Sequence, residues 1–103
     1  MTLYADSSAL FKLYVVEPGS EEVQRLVSSA STVMTSAVAF VEIRAALARL
    51  RRERRLTPSG ARQAKGRFEE DWASFVTVAP DAHLLTTAAD LADDLHRRKE
   101  LHL

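Results

Sequence analysis

The stretch Met1-Thr-Leu-Tyr-Ala-Asp-Ser-Ser-Ala-Leu10 decides the fold of this chain. Its apolar residues 3–5 predict a buried strand, which ends on the acid Asp6. Two small hydroxyl residues, Ser7 and Ser8, follow before an apolar segment begins again at Ala9. In α/β sheets, ligands bind at the carboxyl ends of the strands. The stretch therefore predicts an α/β fold that delivers a carboxylate to that edge of the sheet.

Strand and helix patterns alternate along the rest of the chain. We predict strands at residues 2–6, 32–35 and 76–78, and the start of a fourth strand at 101–103. The predicted helices run from Ser7 or Ser8 to about residue 16, from Ser20 to about residue 30, from Ser36 into the arginine-rich segment, over 58–75 and over 82–99. Ser7 or Ser8 is the expected N-cap of the first helix, Ser20 that of the second and Thr57 that of the fourth. This order predicts a mainly parallel sheet covered by helices.

The composition narrows the class of protein. The chain has 103 residues, of which 47% are hydrophobic and 27% charged, the balance of a soluble globular domain. It has no cysteine, which excludes disulfides and thiolate metal sites. No apolar stretch approaches the roughly 20 residues of a membrane span. No basic segment precedes the first strand, as it would in a secretory signal. We therefore expect a cytoplasmic protein that does not insert into membranes.

A second acid, Glu42, lies in the predicted third helix. An apolar stripe along this helix is formed by Phe40, Ile43, Leu47 and Leu50. Val38, Val41 and Ala45 make another flank of this helix apolar as well, so we expect its first half to be buried. Glu42 neighbours Val38, Ala45 and Ala46 rather than a charged face. A buried, unpaired carboxylate is costly and needs a cation or a proton.

Asp6 and Glu42 together predict a site for a divalent cation, because Mg²⁺ prefers oxygen ligands and often takes only one or two carboxylates. Another interpretation stays open for each acid. Asp6 alone also has the character of an N-cap for the helix that follows it. Glu42 alone is compatible with an ion pair to an arginine of this chain.

Basic residues concentrate in one part of a chain whose formal net charge is zero. Between Arg44 and Arg67 nine residues are basic and one, Glu53, is acidic, and the densest run covers residues 49–55. Such a run is typical of a solvated helix end, and it also fits contacts with a nucleic-acid backbone or an acidic protein. Lys12 follows Asp6 on the first helix, and we expect it to extend to water rather than to contact a phosphate.

Two segments carry a resemblance to a known family. Residues 3–14, Leu-Tyr-Ala-Asp-Ser-Ser-Ala-Leu-Phe-Lys-Leu-Tyr, followed by Glu-Pro-Gly-Ser at 17–20, resemble the opening of PIN domains. They are especially similar to the VapC-like toxins of type II toxin–antitoxin systems. Residues 35–47, Thr-Ser-Ala-Val-Ala-Phe-Val-Glu-Ile-Arg-Ala-Ala-Leu, resemble the second acidic motif of that family. The spacing of the two motifs also fits, and the similarity covers essentially the whole chain.

The resemblance implies a PIN-like α/β/α sandwich with the activity of a metal-dependent endoribonuclease. Asp6 and Glu42 match the family's first two acids, which implies that they are the catalytic residues and the ligands of Mg²⁺ or Mn²⁺. Ser8 matches a hydroxyl residue that supports the site. The implied partners are an RNA substrate, a cognate antitoxin protein and a second copy of the chain in a homodimer.

The sequence departs from the family pattern at its end. Family members continue with an Asp-Ala-x-His-Leu-Ala pattern at a helix start and a further acid after another strand, whereas this sequence stops at Leu103. We therefore expect residues 1–103 to form one PIN-like domain that is incomplete at its C-terminus, lacks the last strands and has weak or no nuclease activity. The alternative function is a non-catalytic PIN-like module that binds an antitoxin or RNA.

Overall fold

The computed structural model of the chain describes residues 1–79, and the predicted fifth helix and fourth strand lie outside this range. In chain order the elements are β1 (Thr2–Tyr4), α1 (Ser7–Phe11), α2 (Ser20–Ser29), β2 (Thr32–Ser36), α3 (Ala39–Arg52), α4 (Pro58–Trp72) and β3 (Val76–Val78). This alternation confirms the α/β class expected from the sequence. None of the helices in the described range is long and apolar enough to cross a bilayer.

The three strands form one parallel sheet in the order β1-β2-β3. Leu3 lies opposite Val33, and Thr35 lies opposite Thr77. The buried side chains of Ala5 and Val33 belong to one core cluster with residues of α1, α3 and α4. These helices therefore cover one face of the sheet, as right-handed crossovers between parallel strands require.

The first helix begins and ends differently from the expectation. We predicted Ser7 or Ser8 as the N-cap, and this is wrong, because Oδ1 of Asp6 accepts the Ala9 N–H at 2.9 Å. The helix also ends at Phe11 rather than near residue 16. Beyond Phe11 the backbone tightens, since the Leu13 N–H bonds to the carbonyl of Leu10 three residues earlier at 2.9 Å.

The second helix begins on a glycine instead of a serine. The predicted N-cap Ser20 is the first helical residue, and Gly19 takes the cap position with φ 93°, a conformation that glycine adopts without strain. The Ser20 side chain is buried and serves the preceding turn. Its hydroxyl accepts the Glu17 N–H at 3.0 Å and donates to the Val15 carbonyl at 3.3 Å.

The third helix is buried on one side only. Ile43, Leu47 and Leu50 are buried, which confirms the predicted stripe. The prediction that the neighbouring flank is also buried is wrong, because Val38 is 43% exposed and Val41 is 68% exposed. α3 packs against α1 and α4 through the stripe, and no element within residues 1–79 covers the flank.

The fourth helix starts as predicted, with Oγ1 of Thr57 accepting the Gly60 N–H at 2.9 Å and Pro58 as the first helical residue. It ends at Trp72, earlier than expected. Its Phe68 side chain is fully buried, with its ring centroid 5.3 Å from that of Tyr14.

Polar contacts join α4 to the segment after α1. The Tyr14 hydroxyl donates to Oδ2 of Asp71 at 2.8 Å, and Arg67 donates to the Tyr14 carbonyl at 3.2 Å. We call Tyr14, Arg67, Phe68 and Asp71 the Tyr14 junction. Because these residues connect chain segments more than fifty positions apart, they hold α1 in place against the core.

Candidate active site

Asp6 lies between β1 and α1, directly before the first helical residue. Its backbone is extended, with φ −77° and ψ 176°, so that the side chain projects from the carboxyl edge of the sheet. Oδ1 accepts two hydrogen bonds at 2.9 Å, from the Ala9 N–H and from Oγ of Ser8. Oδ2 has no hydrogen-bond partner among residues 1–79. The helix-cap interpretation of Asp6 is therefore confirmed, and it leaves one carboxylate oxygen free for another ligand.

Glu42 lies in the first turn of α3 with its side chain exposed. The expectation that this carboxylate is buried among apolar side chains is wrong, because the flank of α3 that carries it is not covered by the described residues. Within the same range Glu42 forms no ion pair with an arginine. Its two oxygens are thus available, and the case for a cation at this residue rests on its position rather than on burial.

Tyr4 links the two acids electrostatically. Burial raises the pKa of Tyr4, the charge of Asp6 raises it further, the backbone at Ser36 lowers it, and the charge of Glu42 raises it again. Both carboxylates therefore act on one hydroxyl group at the same edge of the sheet. The sequence pattern predicts Tyr4 only as an apolar strand residue. The period of two along a strand was the available signal, since it places Tyr4 and Asp6 on the same face.

An open cleft of about 580 Å³ separates α1 from α3 beside these acids. Its polar and charged lining consists of Ser7, Ser8, Glu17, Glu42, Arg49 and Arg52. Its apolar lining consists of Phe11, Ile43, Ala45 and Ala46. The cleft thus has an acid at one end and two arginines further along the same helix.

Lys12 does not extend to water as predicted. Its Nζ lies 2.9 Å from Oε1 of Glu17, and both side chains are partly buried. The charge of Lys12 is therefore neutralised within the chain. The basic run at residues 49–55, in contrast, has exposed arginines at every basic position, as expected for a solvated helix end.

The donor set at this edge fits a hard divalent cation. One oxygen of Asp6 and both oxygens of Glu42 are uncommitted within residues 1–79, and Mg²⁺ commonly binds one or two carboxylates with water in its other positions. In the described range no cluster of three or more histidine, aspartate or glutamate side chains is arranged to hold a metal ion. The protein side of the site therefore consists, in that range, of two carboxylates.

Comparisons with known proteins identify the family of the chain, and the region that matches the family model contains the candidate site. Residues 3–101 match the family model described as PIN domain. Two Mycobacterium tuberculosis proteins, Ribonuclease VapC45 of strain CDC 1551 / Oshkosh and Ribonuclease VapC49 of strain ATCC 25618 / H37Rv, are each 33% identical to this chain over 99 residues. The matched region is 96% of this chain and 66% of each relative. The chain thus spans just under two thirds of the length of these relatives.

Proposed function

Because the chain belongs to the PIN-domain family, we propose that it is a metal-dependent endoribonuclease, the toxin of a toxin–antitoxin pair. The observation that carries the proposal is the pair of carboxylates, Asp6 and Glu42, with uncommitted oxygens at the carboxyl edge of a parallel sheet. The relatives at 33% identity are named ribonucleases, which supports RNA as the substrate class.

The chain's own residues prepare the site for a cation, Mg²⁺ or Mn²⁺. Asp6 is held in one orientation by its two hydrogen bonds through Oδ1, which leaves Oδ2 to face a ligand. Glu42 is followed on α3 by Ile43, which is buried in the core and so fixes the position of this part of the helix. A cation bound by these oxygens supplies positive charge to the phosphate oxygens of RNA and activates a water for attack. Preorganised carboxylates need little rearrangement to hold it.

The test is cleavage of single-stranded RNA in Mg²⁺ by the purified protein and by two variants, Asp6→Asn and Glu42→Gln. Asparagine is as good an N-cap as aspartate, so Asp6→Asn removes the charge and keeps the helix start. The unsubstituted chain is expected to cut RNA weakly, and each variant should cut at least about 10²-fold more slowly still, because several kcal/mol of transition-state stabilisation is lost. Chelation of the metal should abolish cleavage by the unsubstituted protein.

The matched control is Glu53→Gln, which removes a carboxylate from the end of the same helix and outside the cleft. Its cleavage rate should equal that of the unsubstituted protein. Undiminished cleavage by Asp6→Asn would refute the proposed catalytic residues. RNA binding without any cleavage, in all variants alike, would favour the non-catalytic module.

We also propose a cognate antitoxin as protein partner, a homodimer as the assembly and the cytoplasm as the location. A groove of about 690 Å³ between α3 and α4 supports a protein partner. Its charged lining is entirely basic and consists of Arg44, Arg51, Arg52, Arg62 and Lys65. Val41 and Ala45 contribute apolar surface, so the groove suits an acidic, amphipathic segment.

Two measurements test the partner and the assembly. Val41→Glu should reduce co-purification of a co-expressed antitoxin. Light scattering of the purified protein should give the mass of a dimer.

A further inference from the structure

One stripe of α3 carries both an acid and two unneutralised arginines into the α1–α3 cleft. Glu42, Arg49 and Arg52 all line this cleft. Arg49 lies seven residues after Glu42, which is two helical turns and about 10 Å along the axis, and Arg52 lies about 15 Å along it. The cleft therefore has two positive groups at defined distances from its acidic end.

These arginines differ from Lys12, Arg44 and Lys65, each of which approaches a carboxylate. Lys12 pairs with Glu17, and Arg44 and Lys65 approach Glu69 at 3.7 and 3.9 Å. Arg49 and Arg52 form no ion pair within residues 1–79, and both are exposed. A guanidinium group that lacks an internal partner offers its planar set of N–H donors to an incoming anion.

The surface between the acid and the arginines is low. Ala45 and Ala46 occupy the intervening turn of α3, and their short side chains leave the path between Glu42 and Arg49 open. Ser7 and Ser8 form the opposite wall beside Asp6. A strand of nucleic acid can thus lie along α3 with one phosphate near the acids and later phosphates near the arginines.

We propose that Arg49 and Arg52 form a phosphate-binding subsite that holds the RNA backbone a few nucleotides from the cleavage point. The proposal rests on the proposed function, since it takes Asp6 and Glu42 as the cleavage centre. Arg49 lies about 10 Å along α3 from Glu42, farther than the spacing of neighbouring phosphates, so it binds a different phosphate from the one at the acids. Once a cation is bound at the acids, a phosphodiester chain makes favourable electrostatic contacts at both ends of the cleft. An acidic peptide makes favourable electrostatic contacts only with the arginines.

The experiment measures binding of a short fluorescent single-stranded RNA in EDTA, where no cleavage occurs. Arg49→Gln and Arg52→Gln should each weaken binding several-fold and lower the slope of log affinity against log salt by about 0.7, the value for one lost contact to a single-strand phosphate. A DNA strand of the same sequence should lose the same factor, because phosphate contacts carry no sequence or sugar information. Arg49→Lys should retain most of the affinity.

Arg51→Gln is the matched control. Arg51 has the same charge, lies on the same helix and is exposed, but it lines the α3–α4 groove and not the cleft. Its removal should leave the RNA affinity and the salt slope within experimental error. In steady-state cleavage, Arg49→Gln should raise KM and leave kcat unchanged, as expected for a residue that positions the substrate.

Three outcomes would overturn the subsite. Equal losses of RNA affinity in Arg49→Gln and Arg51→Gln would show that RNA binds a diffuse basic patch rather than a subsite. Unchanged RNA affinity in Arg49→Gln and Arg52→Gln, or no RNA binding by the unsubstituted protein, would show that the arginines do not hold RNA. Loss of antitoxin binding with RNA affinity retained would assign them to the protein partner. The nuclease proposal fails separately, through the Asp6→Asn cleavage assay.

Discussion

The α1–α3 cleft and the Tyr14 junction differ in whether their polar side chains have partners within the protein. At the junction, the Tyr14 hydroxyl and the Arg67 guanidinium each have a protein partner, and the Tyr14 ring packs against the fully buried Phe68. In the cleft, Glu42, Arg49 and Arg52 are exposed and form no ion pairs within residues 1–79. Stability therefore depends on residues other than those proposed to bind ligands, so substitutions should affect one property without the other.

Phe68→Ala should have the largest effect on the stability of the junction. The Phe68 side chain is fully buried and packs against the rings of Tyr14, Phe40 and Trp72. Its truncation should lower the free energy of unfolding by about 3–5 kcal/mol, measured by urea denaturation. Glu42→Gln in the cleft should change that free energy by less than about 0.5 kcal/mol. A large loss in Glu42→Gln would mean that the cleft also stabilises the fold.

Tyr14→Phe sharpens the comparison by removing a single oxygen atom from the junction. The hydrogen bond to Asp71 is lost, and because Asp71 is exposed, water can replace the hydroxyl. The free energy of unfolding at neutral pH should fall by about 1 kcal/mol. RNA cleavage at permissive temperature should stay unchanged, and a parallel loss of activity would show that the two regions are coupled.

The same tyrosine predicts a loss of stability in alkali. Burial, and then the hydrogen bond and the charge of Asp71, raise the pKa of Tyr14 well above its ordinary value of 10.0. Above about pH 10 the unfolded chain releases the phenol proton while the folded protein keeps it, so the free energy of unfolding falls as pH rises, by up to about 1.4 kcal/mol per pH unit. Below pH 10 both states hold the proton and this contribution is complete.

Denaturation curves across this pH range should therefore show a smaller alkaline decline in Tyr14→Phe than in the unsubstituted protein. A residual decline is expected from Tyr4, whose pKa is also raised. Identical pH profiles for the two proteins would contradict the assignment to Tyr14.

Thr35→Val and Thr57→Val are the same substitution with opposite expected signs. Thr35 is fully buried on β2 and its Oγ1 has no hydrogen-bond partner among residues 1–79, so valine should raise the free energy of unfolding by about 1 kcal/mol. Oγ1 of Thr57 caps α4, so valine there should lower it by about 1 kcal/mol. Destabilisation by Thr35→Val would indicate that its hydroxyl is bonded in solution.

Arg54→Gly has the smallest expected effect. Arg54 has φ 58° after the end of α3, in the left-handed region that disfavours residues with a Cβ atom. Glycine there should raise the free energy of unfolding by about 0.5 kcal/mol. This net value is the backbone strain that glycine relieves minus the conformational entropy that it adds to the unfolded chain. Arg55→Gly removes the same charge from a residue without positive φ and should not stabilise the protein.

Local patterns predicted the elements well where the signal is contained in neighbouring residues. The strand at Val76–Val78, the stripe of Ile43, Leu47 and Leu50, and the Thr57 cap before Pro58 are all as expected. The N-cap of α1 was assigned to Ser7 or Ser8 because aspartate and serine are nearly equal caps by propensity. Only the backbone geometry at Asp6 separates them.

The errors concern residues whose environment is set by distant parts of the chain. Val38 and Val41 are apolar on an amphipathic helix, and nothing local reveals that no element of the described residues covers them. Lys12 pairs with Glu17 because the chain turns back after Phe11. Tyr4 received no assignment because its closeness to Glu42 depends on how α3 packs beside the sheet.

By itself the sequence determined the α/β order of elements and the presence of one acid after the first strand and another on the third helix, because strand and helix periods and residue chemistry are local properties. The tertiary structure was needed to show that one oxygen of Asp6 has no partner among residues 1–79, that Glu42 is exposed, and that Arg49 and Arg52 line its cleft while Arg51 does not. Exposure and convergence depend on how helices pack, which is a sum of many weak contacts between residues far apart in the chain.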